Sequence, residues 1–350
     1  MTKIPFSEDE LKIVGSYTIP GVYGLPAVAR PRYNYPITPR ENMAMMMRGE
    51  KPVWIPNQWR DNNIVCPYVC PDFYARAFGG TDWFGIEWQY EPLSAAAMVK
   101  PGTRLLDDIC NWREKIVFPD IHAIDWEKDA RENYSMLPND RFTYFVIQNG
   151  IFERIADMTS FEDTFAYLLE EQEELGEFLD ALVDWHIEFM KVAKEYYHAD
   201  MILWHDDMGS QKAPFFSPKL FRELYLPRYQ KLTGACHEMG MFISLHSCGN
   251  VGLHMGNFAD AGFDAWEGQD SANDRTALME EYGDRIYQVG NFIIEGDKTD
   301  EEAIEEIHRL VETRARNGRF ACRFGDARPH KGDADLEAEL YRYSRIFYSK

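Results

Sequence analysis

From Arg141 onward, short apolar runs alternate with longer stretches whose apolar residues recur at helical spacing. Phe142-Thr143-Tyr144-Phe145-Val146-Ile147 reads as a buried strand, and Gln148 and Asn149 follow it. A capped helix begins near Thr159 and Ser160, and a second helical stretch continues from Glu173 to Tyr197. Met201-Ile202-Leu203-Trp204 is the next strand, ending in His205-Asp206-Asp207. Ser217-Pro218 opens a helix that Gly240 closes, and Pro227 inside it predicts a kink. Further strands are expected at 241–246, 264–266, 285–289 and 320–324, with a helix capped by Thr299 and Glu302 between the last two. Upstream, Thr38-Pro39-Arg40-Glu41 carries a capping box with proline at the first helical position. That predicts a helix to Gly49, followed by a short strand at 53–56. Residues 57–140 break the regularity: they are rich in Trp, Tyr and Pro, with short strands expected around 83–90. Long loops inside compact domains usually carry function, so this segment reads as an elaboration over one mouth of the fold.

Strand and helix alternating in this way is the signature of parallel βαβ units, and their number predicts an α/β fold of the (β/α)8 TIM-barrel class. No repeat or linker divides the chain, so residues 1–350 form one domain in this reading. The polar clusters sharpen it. His205-Asp206-Asp207, His246-Ser247-Cys248-Gly249-Asn250, Glu267-Gly268-Gln269, Gly290-Asn291 and Cys322 all fall at or just past the C-terminal ends of expected strands. Barrel active sites sit on that face.

Composition narrows the partners. A net charge of −21 leaves little to neutralise phosphates, which argues against nucleic acid and anionic membranes. No stretch approaches the roughly 20 apolar residues of a membrane span. The start, MTKIPFSEDELKIV, lacks a basic segment followed by an apolar run, so a cytoplasmic location is expected. The six cysteines then read as free thiols or ligands. Cys66 and Cys70, interleaved with Pro67 and Pro71, suit a loop better than a metal knuckle, and Cys110 and Cys236 read as packing residues.

His246-Ser247-Cys248 carries the sharpest chemistry. Side chains two apart in an extended segment point the same way, with Cα atoms roughly 6.5–7 Å apart, a span two zinc ligands can share. Cys322, at the end of a much later strand, is the expected third ligand. Three protein ligands leave a fourth position open, as catalytic zinc sites do. One neutral imidazole and two thiolates would offset the charge of the ion. The plain alternative is that buried free cysteines are common in protein cores.

At these residues the chain resembles the uroporphyrinogen decarboxylase superfamily, in its corrinoid-linked methyltransferase branch. The resemblance runs from Thr38 over most of the chain, through T-P-R-E-N-M-A-M-M-M-R-G-E-K-P at 38–52, D-D-M-G-S-Q-K-A-P-F-F-S-P at 206–218, L-H-S-C-G-N-V at 245–251 and V-G-N at 289–291. It implies a barrel, a zinc ion on His246, Cys248 and Cys322, and methyl transfer between a small methylated compound or thiol and cobalt. Asp207 matches the family motif as a proton donor or substrate partner; Asp206 and His205 stand beside it, and a purely structural role for the aspartates is the alternative. Trp83, Phe84, Trp88 and Tyr90 are read either as the wall of a flat pocket for a methoxylated aromatic or as packing. Gln148, Glu267, Gln269 and Asn291 are further pocket candidates. The D-x-H-x-x-G pattern of a cobalamin module is absent, its nearest string being Asp120-Ile121-His122-Ala123-Ile124-Asp125. The corrinoid is therefore expected on a separate partner protein, and a homodimer is left open. The rival activity is decarboxylation of a porphyrinogen or another carboxylate. Most of that enzyme's basic segment is missing here, where the chain reads Pro56-Asn57-Gln58-Trp59-Arg60-Asp61. A third option is a non-catalytic protein that only retains the barrel.

Overall fold

The structure, a computed structural model, describes residues 4–21, 26–93 and 96–350. Seven parallel strands form one curled sheet: β1 (Asn62–Val65), β2 (Phe142–Ile147), β3 (Met201–His205), β4 (Phe242–Ser247), β5 (Ala265–Gly268), β6 (Tyr287–Ile294) and β7 (Phe320–Asp326). They run in sequence order from β1 to β7, every neighbouring pair parallel. The expected strand at 53–56 is not one. Instead, Cys322 N donates to Pro56 O at 2.9 Å, and Asn57 makes a single parallel bridge to Cys322. The chain then turns through the helix Gln58–Asp61 into β1, so this stretch links the two edges of the sheet where an eighth strand would lie. The curled sheet is that of a barrel-like α/β fold.

The interior follows from the strand period of two. Phe142, Tyr144, Met201, Ala265, Tyr287, Val289 and Ala321 pack together with Met43, Met46 and Met47. Those methionines come from the helix Pro39–Met47, whose Thr38 and Glu41 cap each other as the sequence predicts. This helix plugs the N-terminal end of the sheet, which leaves the C-terminal end for the polar clusters. Outside, long helices such as Gln172–Tyr197 and Asp300–Glu312 cover the strands with apolar faces. Pro227 is accommodated by a π-helical turn, Phe221–Tyr225, just ahead of the helix Leu226–Glu238, which has proline in its first turn. Among the described residues, no helix is long and apolar enough to cross a membrane.

The elaboration contains the helix Pro71–Phe78 and a small antiparallel sheet of Gly80–Thr81, Glu87–Glu91 and Ala96–Val99. One buried knot ties it to the barrel. Arg154, on the helix Ile151–Met158 after β2, pairs with Asp72 and, at 2.7 Å, with Asp82. Asp82 also accepts from the backbone N–H of Phe84 and Ile86 and from Trp88 Nε1, while Asp72 accepts from Trp83 N.

Two buried histidines make the fold sensitive to acid. His186 Nδ1 lies 2.8 Å from Leu182 O and His254 Nε2 lies 3.0 Å from Phe216 O. Burial lowers His186 to about 3 and His254 to about 4, from an ordinary 6.5. Their folded values lie below their unfolded ones, so their contribution is whole above pH 6.5 and is lost as pH falls toward 4 and 3. At pH 5 each is expected to cost about 2 kcal/mol of stability. Unfolding free energies in urea at pH 7.5 and pH 5 check this: His186→Leu should shift the difference between them by about 2 kcal/mol toward greater stability at pH 5, and an unchanged difference would contradict it.

Candidate functional site at the barrel mouth

The register of the strands decides which side chains face one another. His205 is paired with His246, His246 with Glu267, Glu267 with Val289, and Val289 with Ala321. Paired residues on parallel strands point to the same face, so these five share the inner face. There the His205 and His246 rings stack at 4.4 Å between centroids, 15° from parallel. Cys248, just past β4, brings its Sγ to 3.3 Å from His246 Nε2. Asp207, just past β3, brings Oδ1 to 3.9 Å from His246 Nε2 and accepts from Cys248 N at 2.6 Å. The donor atoms of His205, Asp207 and His246 all lie within 4.8 Å of one another.

These groups are held from behind. His205 Nδ1 lies 2.8 Å from Glu153 Oε2. Burial alone would raise the Glu153 carboxyl; the charges of His205 and Arg76 beside it bring it down to about 2. Glu153 is therefore an acceptor, and the ring nitrogen facing it donates. Asp206 has a different task. Fully buried, it accepts from Phe152 N at 3.2 Å, Glu153 N at 2.9 Å and Tyr229 OH at 2.5 Å. It thereby caps the helix that carries Glu153 and Arg154. The approach is so close that a Cβ on Gly150 would lie 2.4 Å from Asp206 Cγ, which only glycine permits. Asp206 is thus engaged in capping, while Asp207 stands beside the donor cluster and the cavity.

The remaining sequence candidates separate. Glu267 is buried on the inner face, where Arg323 pairs with it, Gln58 Nε2 donates to it at 2.6 Å and His246 Nδ1 stands 3.8 Å away. Gln269 joins two loops, accepting from Gln211 Nε2 at 2.7 Å. Asn291 lies at the rim, its backbone N–H donating to Asp270. Gln148 is buried just past β2. Trp88 reaches a cavity at the mouth, but Trp83 does not; it packs edge-on against Trp126, Trp185 and Phe189. Phe84 likewise packs on Phe118 and Trp185, and Tyr90 is exposed.

Cys322 is not brought to the histidine–cysteine pair. It is level with Gly290, one residue out of phase with Val289 and Ala321, and so lies on the outer face. There it is fully buried, in the apolar cluster that includes Leu310, Leu340 and Tyr348, and burial pushes its thiol up to about 12. The inward position beside it is Arg323. Cys66 and Cys70 are both buried in the main core, and Cys236 packs there too.

The cavity beside the cluster has a volume of about 650 Å³ and is bounded by Asp207, Glu153, Arg76, Trp88 and Phe215, among others. Such a volume suits a small-molecule ligand. Sequence reasoning missed three of its features: Glu153, Arg76 and Asp157. Asp157 lines the same wall, its Oδ2 has no hydrogen-bond partner among the described residues, and burial raises its carboxyl well above the usual range. The sequence held only an indirect signal for Glu153, its place in the first turn of a helix that follows a strand.

A parallel, curled sheet with titratable groups gathered at its C-terminal mouth defines the class as an α/β-barrel enzyme scaffold. The uroporphyrinogen decarboxylase (URO-D) family profile matches residues 131–325, more than half of the chain, and the chain belongs to that family. Among solved structures, a methyltransferase from Methanosarcina mazei is similar at a TM-score of 0.60 and 15% identity, covering 89% of this chain and 98% of that one. At that identity the likeness establishes the shared fold. An intracellular xylanase from Thermoanaerobacterium saccharolyticum aligns over 53% of this chain and 66% of its own, at 11% identity and a TM-score of only 0.28, and carries no argument. No curated protein sequence matches the chain.

Proposed function

We propose that this chain is a zinc-dependent methyltransferase that moves a methyl group between a small methylated compound and the cobalt of a corrinoid borne by a partner protein. One observation carries the reading: donor atoms of His205, Asp207 and His246, a set suited to zinc, converge beside a cavity of small-molecule size, with the Cys248 thiol 3.3 Å from His246. The fold shared with the Methanosarcina methyltransferase agrees with it. A bound zinc ion would supply Lewis acidity at the heteroatom that gains or gives up the methyl group.

The chain's own residues supply the rest. Trp88, Phe161 and Phe215 offer apolar walls that exclude water and suit the flat body of a methoxylated aromatic; methylamines and thiols are the other candidates. Burial raises the Asp157 carboxyl well above the usual carboxylate range, which favours its protonated form within the same cavity, where a departing oxygen would need a proton. The rival decarboxylase reading needs cations for a polycarboxylate. The cavity's three are Arg76, Lys100 and Arg104, and each already has an acidic partner: Glu153, Glu87 and Asp163. Asp207, in the same lining, adds further acidity.

The test is a panel of methyl ethers, methylamines and thiols mixed with the zinc-loaded protein and free cob(I)alamin or methylcobalamin, read by the corrinoid's visible spectrum. One class should convert the corrinoid between its methylated and unmethylated forms. No conversion with any class, while zinc stays bound, would sink the reading.

A further inference from the structure

We infer that Asp207 and His205 complete the metal site begun by His246 and Cys248, and that Cys322 takes no part in it. The inference rests on the metal-dependent reading above and concerns which atoms hold the ion. Three independent features of the structure lead to it.

The first is the parity of β7. Ala321 is level with Val289 and Arg323 with Asn291, so residue 322 belongs to the opposite face. A thiol at that position would have to pass through the sheet to meet His246. A one-residue slip would bring it inward, but would also carry Arg323 out of its contacts with Glu267 and Gln58 and turn Ala321 away from the methionine plug. The outer slot is filled instead by apolar packing.

The second feature is distance. Zinc bonds of about 2.0–2.3 Å at tetrahedral angles put neighbouring donor atoms about 3.3–3.8 Å apart. Cys248 Sγ and His246 Nε2 are separated by 3.3 Å, and Asp207 Oδ1 and His246 Nε2 by 3.9 Å, two edges close to that range. His205 offers a donor atom within 4.8 Å of those of Asp207 and His246.

The third is orientation. A histidine that ligates a metal commonly gives its other ring N–H to a carboxylate, which fixes the tautomer and turns the lone pair toward the ion. His205 has that arrangement through Nδ1 and Glu153, leaving Nε2 as the donor. Asp207 is held by the backbone N–H of Cys248, so the loops after β3 and β4 fix each other. Two neutral imidazoles, one carboxylate and one thiolate also offset the charge of a divalent ion, as the two-thiolate set would.

Zinc K-edge X-ray absorption on the full-length, zinc-loaded protein counts the sulfurs. One sulfur at about 2.3 Å with a nitrogen and oxygen shell at about 2.0–2.1 Å is expected. Asp207→Asn should weaken zinc retention at least about 10-fold, while Cys322→Ala should leave it unchanged. Should the Cys322 variant misfold, the sulfur count of the unaltered protein still decides. Two sulfurs, or zinc loss on Cys322→Ala with Asp207→Asn unaffected, would overturn the assignment and leave the metal-dependent function standing. A protein that takes up no zinc would overturn both.

Discussion

Replacing His246 with alanine should strip the protein of zinc and of methyl transfer while leaving the fold in place. Its Nε2 lies 3.3 Å from the Cys248 thiol and 3.9 Å from the Asp207 carboxylate, and its ring stacks on His205, so it stands at the centre of the donor set. Changes to groups that merely orient metal ligands cost about 10–100-fold in affinity, and loss of the central ligand should exceed about 100-fold. Stability should change little, because the ring is partly exposed at the mouth and its hydrogen bond is to the Cys248 thiol. A shift in unfolding free energy below about 1 kcal/mol is expected for the metal-free protein. Zinc content after gel filtration and the thermal midpoint of the metal-free form are the two readouts. Retained zinc would show that His246 is a packing residue.

Arg154→Met should have the opposite signature, a large loss of stability with the zinc donors intact. Arg154 is fully buried, and its guanidinium lies between the carboxylates of Asp72 and Asp82. Methionine fills much of the volume but leaves two buried acids facing each other without a cation. Removing one partner of a buried ionic group typically costs about 3–5 kcal/mol. The loss should shrink at acid pH, because burial already raises the Asp72 carboxyl and protonation relieves the repulsion. The damage should also be local. Asp82 organises the turn through the amides of Phe84 and Ile86 and through the indole of Trp88, so faster hydrogen exchange is expected there. Denaturant midpoints at pH 7.5 and pH 5 test this, and a loss under about 1 kcal/mol at the higher pH would contradict it.

The contrast between these two residues shows what the sequence displayed and what it hid. His246 was legible because it precedes Cys248 by two residues at the end of an apolar run, and β2 through β7 were legible for a similar reason: each coincides with a short apolar run. Arg154 carries no such mark; its importance comes from two aspartates more than 70 positions upstream. β1 was missed because Asn62 and Asn63 read as loop residues. Asn63 is buried nonetheless, its amide donating to Pro138 O at 2.9 Å. The outlying hairpin of Ile13–Ile19 and Val28–Tyr33 was missed because its largely exposed face gives no alternation to read.

Cys322 shows the limit most clearly. In Phe320-Ala321-Cys322 every residue is buried, inward or outward, so no polar alternation reveals which parity faces the mouth. Only pairing to β6 fixes it. Trp83 and Trp88 pose the same problem within the elaboration, where composition could not say which indole meets the cavity. Asp206 and Asp207 are adjacent and chemically identical, yet the caps made by Asp206 leave only Asp207 beside the donors.

Removing and restoring the metal in one sample tests most directly the metal-dependent methyl transfer proposed for the cluster at the ends of β3 and β4. With a methyl donor identified by the panel, chelated protein should leave the corrinoid spectrum static, and equimolar zinc should restore conversion to the original rate. Undiminished conversion by protein verified free of zinc and other divalent metals would contradict the account.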